Sequence, residues 1–196
     1  MKKLLLILLC LPFIGFGQNV NIPDANFKAY LVGNTAINTN GDTEIQVSEA
    51  NVFNGNIWCS SMNISDLTGI EDFVALTRLE CHFNQLTSLD VSTNTALTYL
   101  HCDYNQLTSL DVSGAIALTV LHCDYNQLTS LDVSGATALT SLYSQNNQLT
   151  SLDLSTNPAL TTLSCGYNQL TLLDVSSNLA LTNLSCYNNN LTLLDV

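Results

Sequence analysis

Basic residues are nearly missing from this chain: 4 lysines and arginines stand against 16 aspartates and glutamates in 196 residues, a formal charge of −12. A surface of that sign is repelled by nucleic acid and anionic lipid headgroups, so neither is expected as a partner. Charge of either sign is scarce, at 10% against 46% apolar residues, the reverse of a disordered chain. Long apolar runs are also missing. The stretch from Leu4 to Phe16 is broken by Pro12 and Gly15 and is too short to span a bilayer, so no membrane insertion is expected. Nor does the chain hold a nucleophile motif, a glycine-rich phosphate loop or a two-histidine helix motif. An enzyme is therefore not expected.

What is present begins with an export signal. Met1-Lys2-Lys3 is a basic start, an apolar stretch follows, and Gly15 and Gly17 supply the small residues before Gln18. This predicts a signal peptide over residues 1–17 and a secreted or cell-surface protein. Leu9 is too bulky for a lipidation motif around Cys10. Cleavage would leave Lys28 and Arg78 as the remaining cations, and soluble anions become poor partners as well.

The rest is dominated by a repeat. Asparagines recur every 21 residues at Asn84, Asn105, Asn126, Asn147, Asn168 and Asn189. Each sits in one template, such as Leu97-Thr98-Tyr99-Leu100-His101-Cys102-Asp103-Tyr104-Asn105-Gln106-Leu107, followed by a second half with Leu107, Leu110 and Val112. In a strand, alternate side chains share a face, so Leu100 and Cys102 should point inward while Tyr99, His101 and Asp103 point out. One coil holds too few apolar residues to fold alone, so coils must stack around a shared core. Each asparagine should end a strand and bond backbone of its own and the next coil, so Asn126→Ala should cost about 1–3 kcal/mol.

Cys59, Cys81, Cys102, Cys123, Cys165 and Cys186 fall in one inward column, with Ser144 in the gap. Neighbouring strands lie about 4.8 Å apart with parallel side chains, a poor geometry for disulfides, and a straight column cannot make a zinc tetrahedron. Free thiols acting as small core residues are expected. An aspartate column (Asp90, Asp111, Asp132, Asp153, Asp174, Asp195) is read as a solvated row bonding its turns. The threonines at Thr87, Thr108, Thr129, Thr150, Thr171 and Thr192 sit in bends, which disfavours an ice-binding face.

From Ile57 to Val196 the template resembles the secreted bacterial leucine-rich-repeat family, with Asp66-Leu67-Thr68-Gly69-Ile70 similar to internalin-type repeats and the cysteine-bearing copies similar to flavobacterial-type ones. The resemblance implies a right-handed solenoid of about seven coils over residues 53–196, with a parallel β-sheet on one face. The chain stops in mid-repeat at Leu191–Val196, which predicts an apolar edge and concentration-dependent self-association there.

Residues 18–52 do not fit the repeat. Pro23 suits a helix start, Phe27, Tyr30 and Leu31 an apolar face, and Gly33 a helix end, so a helical cap over the first coil is expected. Within it, Asn38 to Glu49 resembles a twelve-residue EF-hand loop of the kind also found in dockerin-like modules. That resemblance implies calcium held by the side chains of Asn38, Asn40, Asp42 and Glu49, the carbonyl of Glu44, and Gln46 directly or through water. Asn38 lacks the usual first charge, and Thr43 stands at the sharp-turn glycine position, where strain is expected. The alternative is a polar loop that binds no ion.

Three functions are weighed. The leading one is a binding scaffold for a protein or polysaccharide on its strand face; the others are a surface spacer without a ligand and a metal-dependent enzyme. Reading outward positions coil by coil gives Trp58, Glu80, His101, His122 and Tyr143 in one column, with His82, Asp103 and Asp124 in the next and Tyr99 beside them. Phe83, Tyr104 and Tyr125 are expected to surround the histidines. Histidines interleaved with carboxylates at coil spacing can hold a divalent ion, although repeat duplication alone also produces the pattern.

Overall fold

The computed structural model describes residues 17–195, so the expected signal peptide lies almost wholly outside the described residues. The repeat closes into a stack of flattened coils, each contributing one three-residue strand to the same sheet. These strands are β1 (Asn56–Trp58), β2 (Arg78–Glu80), β4 (Tyr99–His101), β6 (Val120–His122), β7 (Ser141–Tyr143), β8 (Thr162–Ser164) and β10 (Asn183–Ser185). They pair in parallel in that order. The register is strict: Ile57, Leu79, Leu100, Leu121, Leu142, Leu163 and Leu184 lie opposite one another. All but Leu184 are essentially fully buried. From Leu79 onward the step is 21 residues, and the first coil, 22 residues from Ile57 to Leu79, takes up its extra residue outside the strand, because a one-residue slip within a strand would turn its core residue to the other face.

A single sheet was expected, and the molecule has more. On the other side of the coils β3 (Ser88–Asp90) pairs with β5 (Ser109–Asp111), and β9 (Leu172–Asp174) with β11 (Leu193–Asp195). Along this side Asp90, Asp111, Asp132, Asp153 and Asp174 are exposed, and each accepts a hydrogen bond from the backbone N–H two residues on, at Ser92, Ser113, Ser134, Ser155 and Ser176. Hydrogen bonds from the serine side chain and backbone of each turn hold Asp132, Asp153 and Asp174 below the ordinary carboxylate value.

The asparagine column binds coils together, but to the preceding coil and not the next. Asn126 donates from Nδ2 to the carbonyls of Cys102 and Cys123 at 3.1 Å, and its Oδ1 accepts from Leu107 N at 2.9 Å. The direction follows from the turn after the strand, which carries the amide back under the coil already laid down. A second set was not foreseen: Asn94, Asn157 and Asn178 are buried and donate to carbonyls of the preceding coil on the far side. In the coils between them Ala115 and Ala136 take this place, each preceded by a glycine. A Cβ on Gly114 or Gly135 would sit on the carbonyl oxygen of Ser92 or Ser113.

The six described column cysteines are free thiols, five of them buried. Burial pushes the Cys59 and Cys165 thiols up to about 12, far from the reactive thiolate. Ser144 fills its gap by bonding the Ser164 carbonyl at 3.4 Å, as Cys102 does with His122 at 3.3 Å.

Among the described residues two helices precede the coils, α1 (Ala25–Gly33) and α2 (Val47–Ala50). Asp24, one residue after Pro23, is the N-cap of α1 and accepts from Asn26 N and Phe27 N. Phe27 and Leu31 face the core. Tyr30 Oη accepts from Trp58 N at 2.8 Å, and Asp24 Oδ2 accepts from Ser65 N and Oγ. The open edge of β1 thereby finds a partner in the cap. Among the described residues no helix is long and apolar enough to cross a membrane.

Candidate functional site

The outer face of the seven-stranded sheet collects the singled-out residues. Register places Trp58, Glu80, His101, His122 and Tyr143 in one row. His82, just past β2, stacks on His101 with ring centroids 4.2 Å apart. His101 and His122 are 4.7 Å apart, and His122 stacks on Tyr143 at 4.2 Å. Tyr99 lies against both His101 and His122. Above its ring sits the Arg78 guanidinium, 3.7 Å from the centroid, while Arg78 Nε donates to Glu80 Oε1 at 2.6 Å. The structure thus joins Glu80, His82, Tyr99, His101, His122 and Tyr143 into one cluster. Trp58 is exposed, outside the ring stack.

Asp103 and Asp124 correct the simple alternation. They were expected to point out, and both are buried. Strands β4 and β6 end at His101 and His122, so alternation no longer governs the next positions. Tyr104 and Tyr125 then adopt a left-handed φ of 49°, and the bend tucks each carboxylate beneath its histidine. Asp103 Oδ1 lies 2.7 Å from His101 Nε2, yet the contact is too bent to count as a formed hydrogen bond. The corresponding His122 Nδ1 to Asp124 Oδ1 distance is 4.0 Å. Burial, followed by the charge of Asp103, pushes Asp124 up to about 6. Burial, followed by the neighbouring His101, pushes His122 down to about 4. Both shifts mark groups placed where folding alone disfavours their charged forms.

Of Phe83, Tyr104 and Tyr125, Phe83 alone packs against a histidine, edge-on to His82 with ring centroids 5.6 Å apart. The three form a second, exposed stack at the strand ends, with centroids 4.4 and 4.3 Å apart. Each holds a left-handed φ unusual for a bulky residue, a cost of about 1–3 kcal/mol that ring stacking helps to offset. The sequence signal is an aromatic immediately before the column asparagine.

In the cap loop the donor atoms converge but are already engaged. Asn38 Oδ1 accepts from Gly41 N, and Asp42 Oδ1 from Glu44 N. Asp42 Oδ2 accepts from the amides of Asn40 and Gln46. Glu49 accepts from Thr39, Asn40 and Gln46 backbone N–H groups. Burial works to raise the Glu49 pKa, and these bonds together hold it below its ordinary value. The Glu44 carboxylate pairs with Lys28 at 2.7 Å. The left-handed residue is Gly41 (φ 72°) and not Thr43, so the strain expected at Thr43 does not arise. A cation in this loop would compete with the bonds already closing it.

The parallel sheet, the inward leucines and the asparagine column make this chain a leucine-rich-repeat solenoid. No protein-family model matches it. The functional domain of InlJ from Listeria monocytogenes, which includes a cysteine ladder, is 38% identical with a TM-score of 0.66, covering 90% of this chain and 44% of that one. Internalin C2 of the same species shares the fold at 20% identity and a TM-score of 0.59, covering 89% and 90%. Among curated proteins, Internalin J of Listeria monocytogenes is 49% identical over 37 residues, 19% of this chain and 4% of that protein. The chain therefore spans less than half of the similar InlJ domain and a small part of Internalin J.

Proposed function

We propose that this protein is an extracellular binding scaffold, and no enzyme, that docks a protein or a polysaccharide on the outer face of its seven-stranded sheet. The observation that carries the reading is the stack His82–His101–His122–Tyr143, flanked by Arg78 on Tyr99. The inward leucine, cysteine and asparagine columns meet the needs of folding without it. Tyrosine, tryptophan and arginine are also the residues that carry most energy at protein interfaces, which makes a protein the first ligand to seek. The likeness to internalin structures agrees with a surface adhesion role.

The test compares the wild-type chain with a triple variant, Tyr99→Ala, His101→Ala and His122→Ala, on a glycan array and in pull-downs of surface proteins. Capture by the wild type should be abolished in the variant, with folding retained by circular dichroism. Full binding by the variant would move the site off this face. Capture of nothing by the wild type would favour a spacer without a ligand.

For the cap we propose weak calcium binding by Asn38, Asn40, Asp42, Glu44, Gln46 and Glu49. The support is the convergence of Asn40, Asp42 and Gln46 side chains within hydrogen-bond distance. Rotating the two amides would turn oxygens toward a bound ion. Millimolar calcium should release or absorb heat in calorimetry and raise the melting temperature of the wild type but not of Asp42→Asn. Absence of both effects refutes it.

A further inference from the structure

We propose that Glu80, His82 and His101 form a binding site for a divalent transition-metal ion of the zinc class on the outer face of the sheet. Their ligand atoms lie within 4.8 Å of one another. Zinc bonds nitrogen and oxygen at about 2.0–2.2 Å, so ligand atoms around one ion are about 3.4 Å apart, and rotations of about 1 Å close the gap. The backbone needs no adjustment, because β2 and β4 already set Glu80 opposite His101 in register. Two imidazoles and a carboxylate are a donor set that zinc and its neighbours accept, with a fourth position left open.

The surroundings are those of a metal site and not only of a histidine pair. Ser60 Oγ lies 2.9 Å from His82 Nδ1, and Asp103 Oδ1 lies 2.7 Å from His101 Nε2. In each ring one nitrogen thus faces an oxygen of a neighbouring side chain, the kind of outer partner that orients metal-binding histidines. Arg78 holds Glu80 through Oε1, leaving Oε2. Asp103 Oδ1 is buried with no well-formed hydrogen bond, although it is aimed at the His101 ring. An ion on the far nitrogen of that ring would polarise the imidazole and strengthen this contact.

Charge points the same way. Three carboxylates, Glu80, Asp103 and Asp124, gather around the histidines against the single guanidinium of Arg78. A dication makes good the imbalance. The buried cysteines are no rival, because their thiols point into the core on the opposite side of the strands.

The proposal is independent of the docking reading, since the ion alone is the ligand tested. The chelator-treated full chain is titrated with zinc by calorimetry and with cobalt(II) by visible absorption. One equivalent should bind, with d–d bands of nitrogen and oxygen coordination. Binding should fall at least about 100-fold in the double variant His82→Ala and His101→Ala, with the melting curve retained. Asp103→Asn, a change to a positioning residue, should weaken binding about 10–100-fold and shift the cobalt bands. If the double variant does not fold, zinc protection of His82 and His101 from diethyl pyrocarbonate in the wild type takes its place. No binding by the wild type, equal binding by a folded double variant, absence of histidine protection, or a cobalt–thiolate band would each overturn the assignment.

Discussion

In the coils every stabilising contact is made many times; in the cap each is made once. Asn105, Asn126, Asn147, Asn168 and Asn189 bond the chain in one pattern, their Oδ1 atoms reaching the backbone N–H 19 residues earlier in each case. The cap relies on single contacts: Asp24 to Ser65, Tyr30 to Trp58, Asn26 to Asn63. Repetition exposes the structural role of a position, since a residue that recurs in every coil answers to the fold. A residue that changes from coil to coil on a face the core does not use, such as Trp58, Glu80, His101, His122, Tyr143 and Ser164, is free to answer to something else.

The contrast breaks most sharply at Asn126→Ala. Removing the amide strands the Leu107 N–H, while the carbonyls of Cys102 and Cys123 each keep a second donor, Asn105 and Asn147. One unmet buried group costs about 1–3 kcal/mol, and the loss should fall in that range. Urea denaturation measures it. A loss under about 1 kcal/mol would mean that water takes the place of the amide, and that repetition overstates the column's importance.

The solenoid was legible because its causes recur. The 21-residue spacing of asparagine and the alternation of Leu100 with Cys102 each follow from one geometric rule applied to every coil. Asp103 and Asp124 were misread for the same reason: alternation was extended past the end of β4 and β6, where a left-handed tyrosine takes over. Asn94, Asn157 and Asn178 went unseen because Ala115 and Ala136 interrupt their column. The signal lay in the pairing of glycine with alanine at 114–115 and 135–136, since the coils approach too closely there for a Cβ. In the cap, a twelve-residue register placed the tight turn at Thr43, whereas Gly41, which has no Cβ, takes the left-handed backbone without strain. Of the candidate site, the row of outward residues could be read from strand spacing. The stacking of His82 on His101, Arg78 on Tyr99 and the burial beneath them could not, because they depend on rotamers and on where strands stop.

The smaller effect belongs to the cap and carries a pH signature. Asp24 caps α1 through Asn26 N and Phe27 N and ties it to the first coil through Ser65 N and Oγ. Burial works to raise its pKa, but these four hydrogen bonds outweigh it and hold the carboxyl below its usual 3.8. A carboxylate with a depressed folded pKa adds stability above its unfolded pKa, and that contribution is lost as pH falls through the folded value. Asp24→Ala should therefore cost about 0.5–2 kcal/mol near neutrality, the range for a lost helix N-cap. Its difference from the wild type should shrink as pH drops below about 4, the unfolded carboxyl value. Hydrogen exchange would show where the loss falls: faster in α1 and at Ser65, unchanged in β4 through β8. A stability difference that stays constant down to pH 3 would mean that the ionised carboxylate is not what holds the cap. Exchange rising equally in the distant coils would mean that cap and coils unfold as one unit, and that the distinction between them is one of sequence rather than of stability.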